Sequence, residues 1–367
     1  MNQQNSVDKI FLATVLLLLI SGFFIFISAS LGLHARGGAR FTAIIFNQFF
    51  FGIVLGLIAM VFFSKIYYRK WKKYALPIFI FSLALTALTF IPFFGFEHGG
   101  AKRWISLWKF SFQPAEFLKF GVILYLSAWY ALIRQKVHTV KWGFLPLCII
   151  LGISGGILLA QPDTGTFLVI AGTSVILFLI AGGRWKHLFS IAVMGVVVFA
   201  ILIFTRPYIM DRVLTFIDPS RDPNGAGWQI RQSLIAIGSG EMFGKGFGQS
   251  VQKFNFLPEP IGDSVFAVAG EEFGFTGSVA IIILFILFLL RGLYLARRAP
   301  DLFSGLLVSG IVIMIVIQSF INIASILGVF PLTGLPLIFI SHGGTAMLIT
   351  LAMLGIVLNV SRHKQNT

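Results

Sequence analysis

Residues 10–31 read IFLATVLLLLISGFFIFISASL, a run with no charged side chain. At 1.5 Å per residue a helix of this length reaches about 33 Å, enough to cross a hydrocarbon layer of about 30 Å. The run is longer than the roughly 7–15 residues of a signal-peptide core, so it is expected to stay in place as a first membrane span. Similar runs recur at 41–64, 74–94, 117–133, 143–160, 167–181, 188–205, 274–290, 302–327 and 345–360. The pattern predicts an all-α polytopic membrane protein of about ten transmembrane helices, forming a single integral-membrane domain over residues 1–367.

Composition agrees. Apolar residues make up 57% of the chain and charged ones 11%, against about 25% charged in a soluble domain. Twenty-eight Lys and Arg against 13 Asp and Glu leave a formal net charge of +15. This excess does not indicate nucleic-acid binding, because the cations sit in short clusters between apolar runs. Ten spans place both termini on one side, together with Lys65–Lys73, Arg134–Lys141, Arg184–His187, Arg291–Asp301 and Arg362–Thr367; the acids there are Asp8 and Asp301. Short loops rich in Lys and Arg are retained in the cytoplasm, so cytoplasmic termini are expected. The lone Cys148 excludes an intrachain disulfide and any thiol metal motif.

The opposite side then holds the loops with chemistry in them. The longest is 206–263, where Trp228–Ile237 (WQIRQSLIAI) is expected to form a short amphipathic helix at the interface. Four clusters stand out. Residues 99–116, GGAKRWISLWKFSFQPAE, pair Lys102 and Arg103 with Trp104 and Trp108; an interfacial anchor and a site for an anionic headgroup both fit. In 161–166, QPDTGT, Asp163 is placed to cap the next helix or to meet an arginine. Residues 238–250, GSGEMFGKGFGQS, suit either an anion cradle or a flexible loop. FLPEPIGDSVFAVAGEE follows at 256–272, with Glu259, Asp263, Glu271 and Glu272, carboxylates that are costly beside a span unless paired or wet. Last, FPLTGLPLIFISHGG at 330–344 cannot be a regular helix, and residues 328–344 are expected to form a broken, re-entrant segment. No HExxH, P-loop or dinucleotide motif is present.

These clusters, in this order, resemble the SEDS family (shape, elongation, division and sporulation proteins) over about residues 5–362. GFGQSVQKFNFLPE and PLTGLPL are more similar to its division-type FtsW and SpoVE branch than to the RodA branch. The resemblance implies a peptidoglycan glycosyltransferase that polymerises lipid II, a disaccharide-pentapeptide on undecaprenyl diphosphate, for septal wall synthesis; an elongation-type (RodA-like) or sporulation-type polymerase is an alternative within the family, and a lipid II flippase or transporter is the alternative that the spans and broken helices also fit. It implies a bacterial cytoplasmic membrane location at the division septum, and a class B penicillin-binding protein and other divisome proteins as partners. The family's essential acid falls on Asp263, expected as the general base of an inverting transfer. Lys102, Arg103, Gln113, Glu116, Asp163, Arg212, Arg231, Glu259 and Ser341 are the candidate substrate contacts, and a divalent Mg or Mn ion is a candidate cofactor. The family usually reads T-D-F where this chain has Gly262-Asp263-Ser264, and GSGG and SYGGSS where it has 238–241 and 341–346, GSGE and SHGGTA.

Overall fold

In lipid a backbone N–H or C=O finds no water, so apolar runs satisfy their hydrogen bonds internally and become helices. The computed structural model describes residues 6–34, 38–91, 94–98, 101–107 and 110–363. Its principal helices are α1 (Lys9–His34), α2 (Phe41–Lys65), α3 (Ala75–Phe90), α4 (Pro114–Leu132), α5 (Val140–Ala160), α6 (Thr164–Ile180) and α7 (Trp185–Thr205). They continue with α8 (Pro207–Ile217), α9 (Ala226–Ser239), α10 (Val265–Arg297), α11 (Leu302–Ile326) and α12 (Gly344–Arg362). Among the described residues, eight helices are long and apolar enough to cross a membrane, and the shorter α3 and α6 occupy the other two positions that hydropathy assigns. The chain is a multi-pass α-helical membrane protein.

α11 is the central helix, buried on most faces, with α4, α6, α10 and α12 packed around it. α2 lies along α12, and α1 along α10. α7 is exposed along its whole length, as a lipid-facing span would be. Cys148 is a free thiol on α5.

Two features depart from the expected outline. The loop after α3 is not irregular but folds into a small antiparallel sheet, β1 (Gly95–His98), β2 (Ala101–Leu107) and β3 (Phe110–Phe112). Gly99, Gly100 and Trp108 of that cluster lie outside the described residues. The span expected from Gly274 starts earlier: α10 begins at Val265 and is broken at Gly274, whose φ of +66° and ψ of −162° lie outside the helical region.

That break explains the glycine-rich run 238–250. In an unbroken helix the N–H groups of Phe275 and Thr276 would bond the carbonyls of Glu271 and Glu272. Here they donate instead to Glu241 O (2.8 Å) and Met242 O (3.1 Å), while the carbonyls of Glu271 and Glu272 accept from Lys245 N and Gly246 N, each at 3.0 Å. Glu241, Met242, Lys245 and Gly246 of the run thus form a backbone patch that completes a broken helix. A Cβ on Gly274 would come within 2.4 Å of Gly244 N, so the two strands of chain can approach only as glycines.

Candidate active site

The four carboxylates of 256–272 divide into two pairs with opposite surroundings. Glu271 and Glu272, at the kink, are neutralised. Lys245 Nζ lies 2.7 Å from Glu271 Oε1, and Lys253 Nζ lies 2.6 Å from Glu272 Oε1. Ser250 Oγ donates to Glu271, and Ser28 Oγ on α1 donates to Glu272. They are structural charges. Glu259 and Asp263 form no ion pair within 4 Å among the described residues and remain available for chemistry.

Asp263 sits in the turn that leads into α10. Glu259 holds a φ of +45°, and its carbonyl accepts from Gly262 N (3.0 Å) and Ser264 N (3.2 Å), closing a turn that draws the two acids together. The three consecutive carbonyls before α10 are each taken from another part of the fold. Ile261 O accepts from His342 N (2.7 Å), Gly262 O from Ser341 Oγ (2.7 Å), and Asp263 O from Asn322 Nδ2 (2.9 Å). This fixes the backbone on which the carboxylate stands. Asp263 itself is half-buried. Burial, with Glu259 as a like charge, pushes its pKa up to about 6, while Arg212 and Arg103 pull it back down.

The two arginines reach the site by different routes. In β2, Trp104 pairs with Phe96 and Lys102 with Glu97, so Arg103 is the extra residue of a β-bulge. A bulge re-aims a side chain, and Arg103 points to the 161–166 turn, donating to Gln161 O (3.3 Å) and to Pro162 O. Arg212, on α8, is half-buried and donates to Thr333 O (3.3 Å). Burial and the neighbouring Arg103 lower its pKa, and Asp263 and Asp163 partly offset this. A guanidinium this basic stays charged in any case. The next residue, Gly334, has a φ of +72°, and a Cβ there would lie 3.6 Å from Asp263 Oδ2. The segment 331–337 has no regular secondary structure, and it carries an arginine-binding carbonyl and an aspartate-facing glycine side by side.

The other expected contacts are placed differently. Lys102 and Arg231 are exposed, and neither is among the charges acting on Asp263. Glu116 is 2% exposed and pairs with Lys119 at 2.8 Å inside the bundle. Ser341 is buried too; its hydroxyl accepts from Leu337 N (2.8 Å) and donates to Gly262 O, a scaffold role. Asp163 caps α6 by accepting from Thr166 N (3.2 Å), and Gln113 Nε2 donates to it at 3.4 Å. The departures around Asp263 have local partners. Ser264 Oγ accepts from Gln229 Nε2 at 3.0 Å, and a Cβ on Gly262 would lie 3.3 Å from Glu259 Oε2, so the glycine leaves that carboxylate room. Sequence reasoning passed over Gln318 and Asn322 on α11 and over Gln48 on α2, whose amide donates to Ser341 O (3.2 Å) and accepts from Gly343 N (3.0 Å). Their signal was available, since a carboxamide inside an apolar span is costly unless used.

Among the described residues no group of three His, Cys, Asp or Glu side chains converges on a metal position. The arrangement sets a carboxylate of raised pKa in the field of two arginines whose side chains are hydrogen-bonded in place. It can remove a proton from an alcohol while an anionic group is held beside it.

The sequence matches the family described as "Cell cycle protein", that of FtsW, RodA and SpoVE, over residues 8–366. Stage V sporulation protein E of Bacillus subtilis (strain 168) is 38% identical over 311 residues, which cover 85% of each chain. A protein of Trichlorobacter lovleyi named probable peptidoglycan glycosyltransferase FtsW is 36% identical over 357 residues, 96% of this chain and 93% of that one. Among solved structures, one reported as "Structural coordination of polymerization and crosslinking by a peptidoglycan synthase complex" superposes with a TM-score of 0.80 at 29% identity, covering 98% of this chain and 99% of that one. The crystal structure of Thermus thermophilus RodA gives 0.71 at 26% identity, covering 98% of both.

Proposed function

This chain belongs to the FtsW, RodA and SpoVE family of cell cycle proteins, and we propose that it polymerises lipid II with Asp263 as the general base. It is a peptidoglycan glycosyltransferase, as its FtsW relatives are named. Its division-type character is supported by relatives named FtsW and stage V sporulation protein E. In the reaction, Asp263 takes the proton of the acceptor sugar's 4-hydroxyl. The freed oxygen bonds to the anomeric carbon of the donor, and the bond from that carbon to the undecaprenyl diphosphate breaks, inverting the centre. Arg103 and Arg212 stabilise the negative charge that collects on the departing diphosphate. The diphosphate bond supplies the driving force, consistent with a sequence without a nucleotide motif. Mg²⁺ or Mn²⁺ would find the carboxylates of Glu259 and Asp263 beside the substrate's phosphates and would add positive charge there.

The reading places the termini in the cytoplasm and Asp263 on the outer face of the bacterial cytoplasmic membrane, at the septum. A class B penicillin-binding protein is the proposed partner, with other divisome proteins around it; the likeness to a synthase complex that couples polymerization and crosslinking supports this. The observation that carries the proposal is a carboxylate without an ion pair among the described residues, Asp263, facing Gly334 beside the Thr333 carbonyl that Arg212 binds. The test is lipid II incubated with the purified protein and that partner. Glycan strands resolved on a gel are expected. Transfer of labelled lipid II across sealed vesicles with no glycan would make the protein a flippase instead.

A further inference from the structure

α11 carries polar side chains at 318, 322 and 325, spaced four and three residues apart and therefore on one face of the helix. All three are buried, and each donates to a main-chain carbonyl of the irregular segment that follows. Gln318 Nε2 bonds Pro336 O (3.1 Å), Asn322 Nδ2 bonds Leu335 O (2.7 Å), and Ser325 Oγ bonds Pro331 O (3.0 Å). Lacking a helical ladder of its own, the segment 331–337 is held by the side chains of its neighbour. Gln318 is in turn oriented by Lys119, whose ammonium donates to Gln318 Oε1 and pairs with Glu116. This gives the buried Glu116–Lys119 pair a purpose.

Asn322 differs from the other two. Its Nδ2 donates to Leu335 O and also to Asp263 O. Its Oδ1 is buried with no hydrogen-bond partner among the described residues, so the amide serves here through its donors. One carboxamide thus ties the backbone of the base to the segment whose Thr333 carbonyl engages Arg212 and whose Gly334 faces the Asp263 carboxylate. We infer that Asn322 is a positioning residue that sets the separation of the base from the diphosphate-binding arginine. The inference rests on Asp263 acting as proposed above. It follows that Asn322 governs turnover and not substrate affinity, since a displacement of about 1 Å at a reacting group costs on the order of 100-fold in rate.

Three variants of the full-length protein test this: Asn322→Ala, Asn322→Asp and Ser325→Ala. Each is assayed for lipid II polymerisation with kcat and KM resolved, and for amide hydrogen exchange in peptides covering 261–266 and 332–338. Asn322→Ala is expected to lower kcat at least tenfold with KM within twofold, and to speed exchange in both peptides together. Ser325→Ala, whose hydroxyl reaches Ile321 O and Pro331 O but not the backbone of Asp263, should leave kcat within twofold and the 261–266 peptide unchanged. Asn322→Asp keeps the shape and loses donor capacity, so it should share the kcat loss, and it decides the matter if the alanine variant fails to fold. A wild-type kcat in Asn322→Asp, or exchange at 261–266 that does not respond to Asn322→Ala, would overturn the inference. If the wild-type protein makes no glycan, the polymerase reading fails, whereas the exchange experiment still decides whether Asn322 links the two segments.

Discussion

Lys253 Nζ and Glu272 Oε1 lie 2.6 Å apart with both side chains 0% exposed, and Ser28 of α1 closes the group from the other side, its Oγ 3.1 Å from Lys253 Nζ. Removing one partner of such a pair strands a charge out of reach of water, which costs about 3–5 kcal/mol. Lys253→Met and Glu272→Leu are each expected to reduce thermal stability in detergent sharply. The double variant should recover much of the loss, because no buried charge remains. Measured melting curves for the two single variants and the double variant check this, and strictly additive losses would count against it.

The raised pKa of Asp263 sets the pH behaviour. A base works when ionised, so kcat/KM should fall as pH drops through about 6 and level off above it. Glu259→Gln removes the like charge that helps to raise that pKa, so the acid limb should move to lower pH. Arg212→Ala removes a charge that lowers it, so the limb of the residual activity should move up. Stability follows the same linkage. Charging Asp263 in the fold is disfavoured, so its contribution is fully present below the unfolded-state pKa near 3.8 and is lost as pH rises through about 6. Asp263→Asn is therefore expected to melt higher than wild type at pH 8 and alongside it at pH 3.5.

Arg103 and Lys102 are adjacent cations with different surroundings, one re-aimed by a bulge into the 161–166 turn and the other exposed. Arg103→Ala should cut kcat/KM at least tenfold, through the lost charge and the loosened turn. Lys102→Ala should stay within about threefold, as expected of a solvated surface charge. Polymerisation kinetics of the two variants in parallel decide between them; equal losses would show that the bulge does not select.

The membrane spans were legible because hydrophobic length is a local property, summed over neighbours in sequence, and α1 could be read from 10–31 alone. The acids of 256–272 were legible as a group, but their roles were not. Lys253 and Glu272 are nineteen positions apart, and only the turn of the chain between them brings them together. The glycine-rich run 238–250 fitted an anion cradle or a flexible loop equally well; its actual partners, the carbonyls and N–H groups of a broken helix, exist only once that helix breaks. Arg103 and Lys102 could not be told apart without the register of β1 against β2. Asn322 was within reach, since an amide inside an apolar span signals a bond elsewhere, but its two acceptors lie 59 and 13 residues away.

The most direct test of Asp263 as the base is single-turnover polymerisation of lipid II by purified Asp263→Asn beside wild type, with lipid II binding measured on the same preparations. Asparagine keeps the shape and the backbone contacts of 261–263 and cannot take up the proton. The expected result is binding within about twofold of wild type and no detectable glycan. Glycan formed by the variant at the wild-type rate would contradict the account.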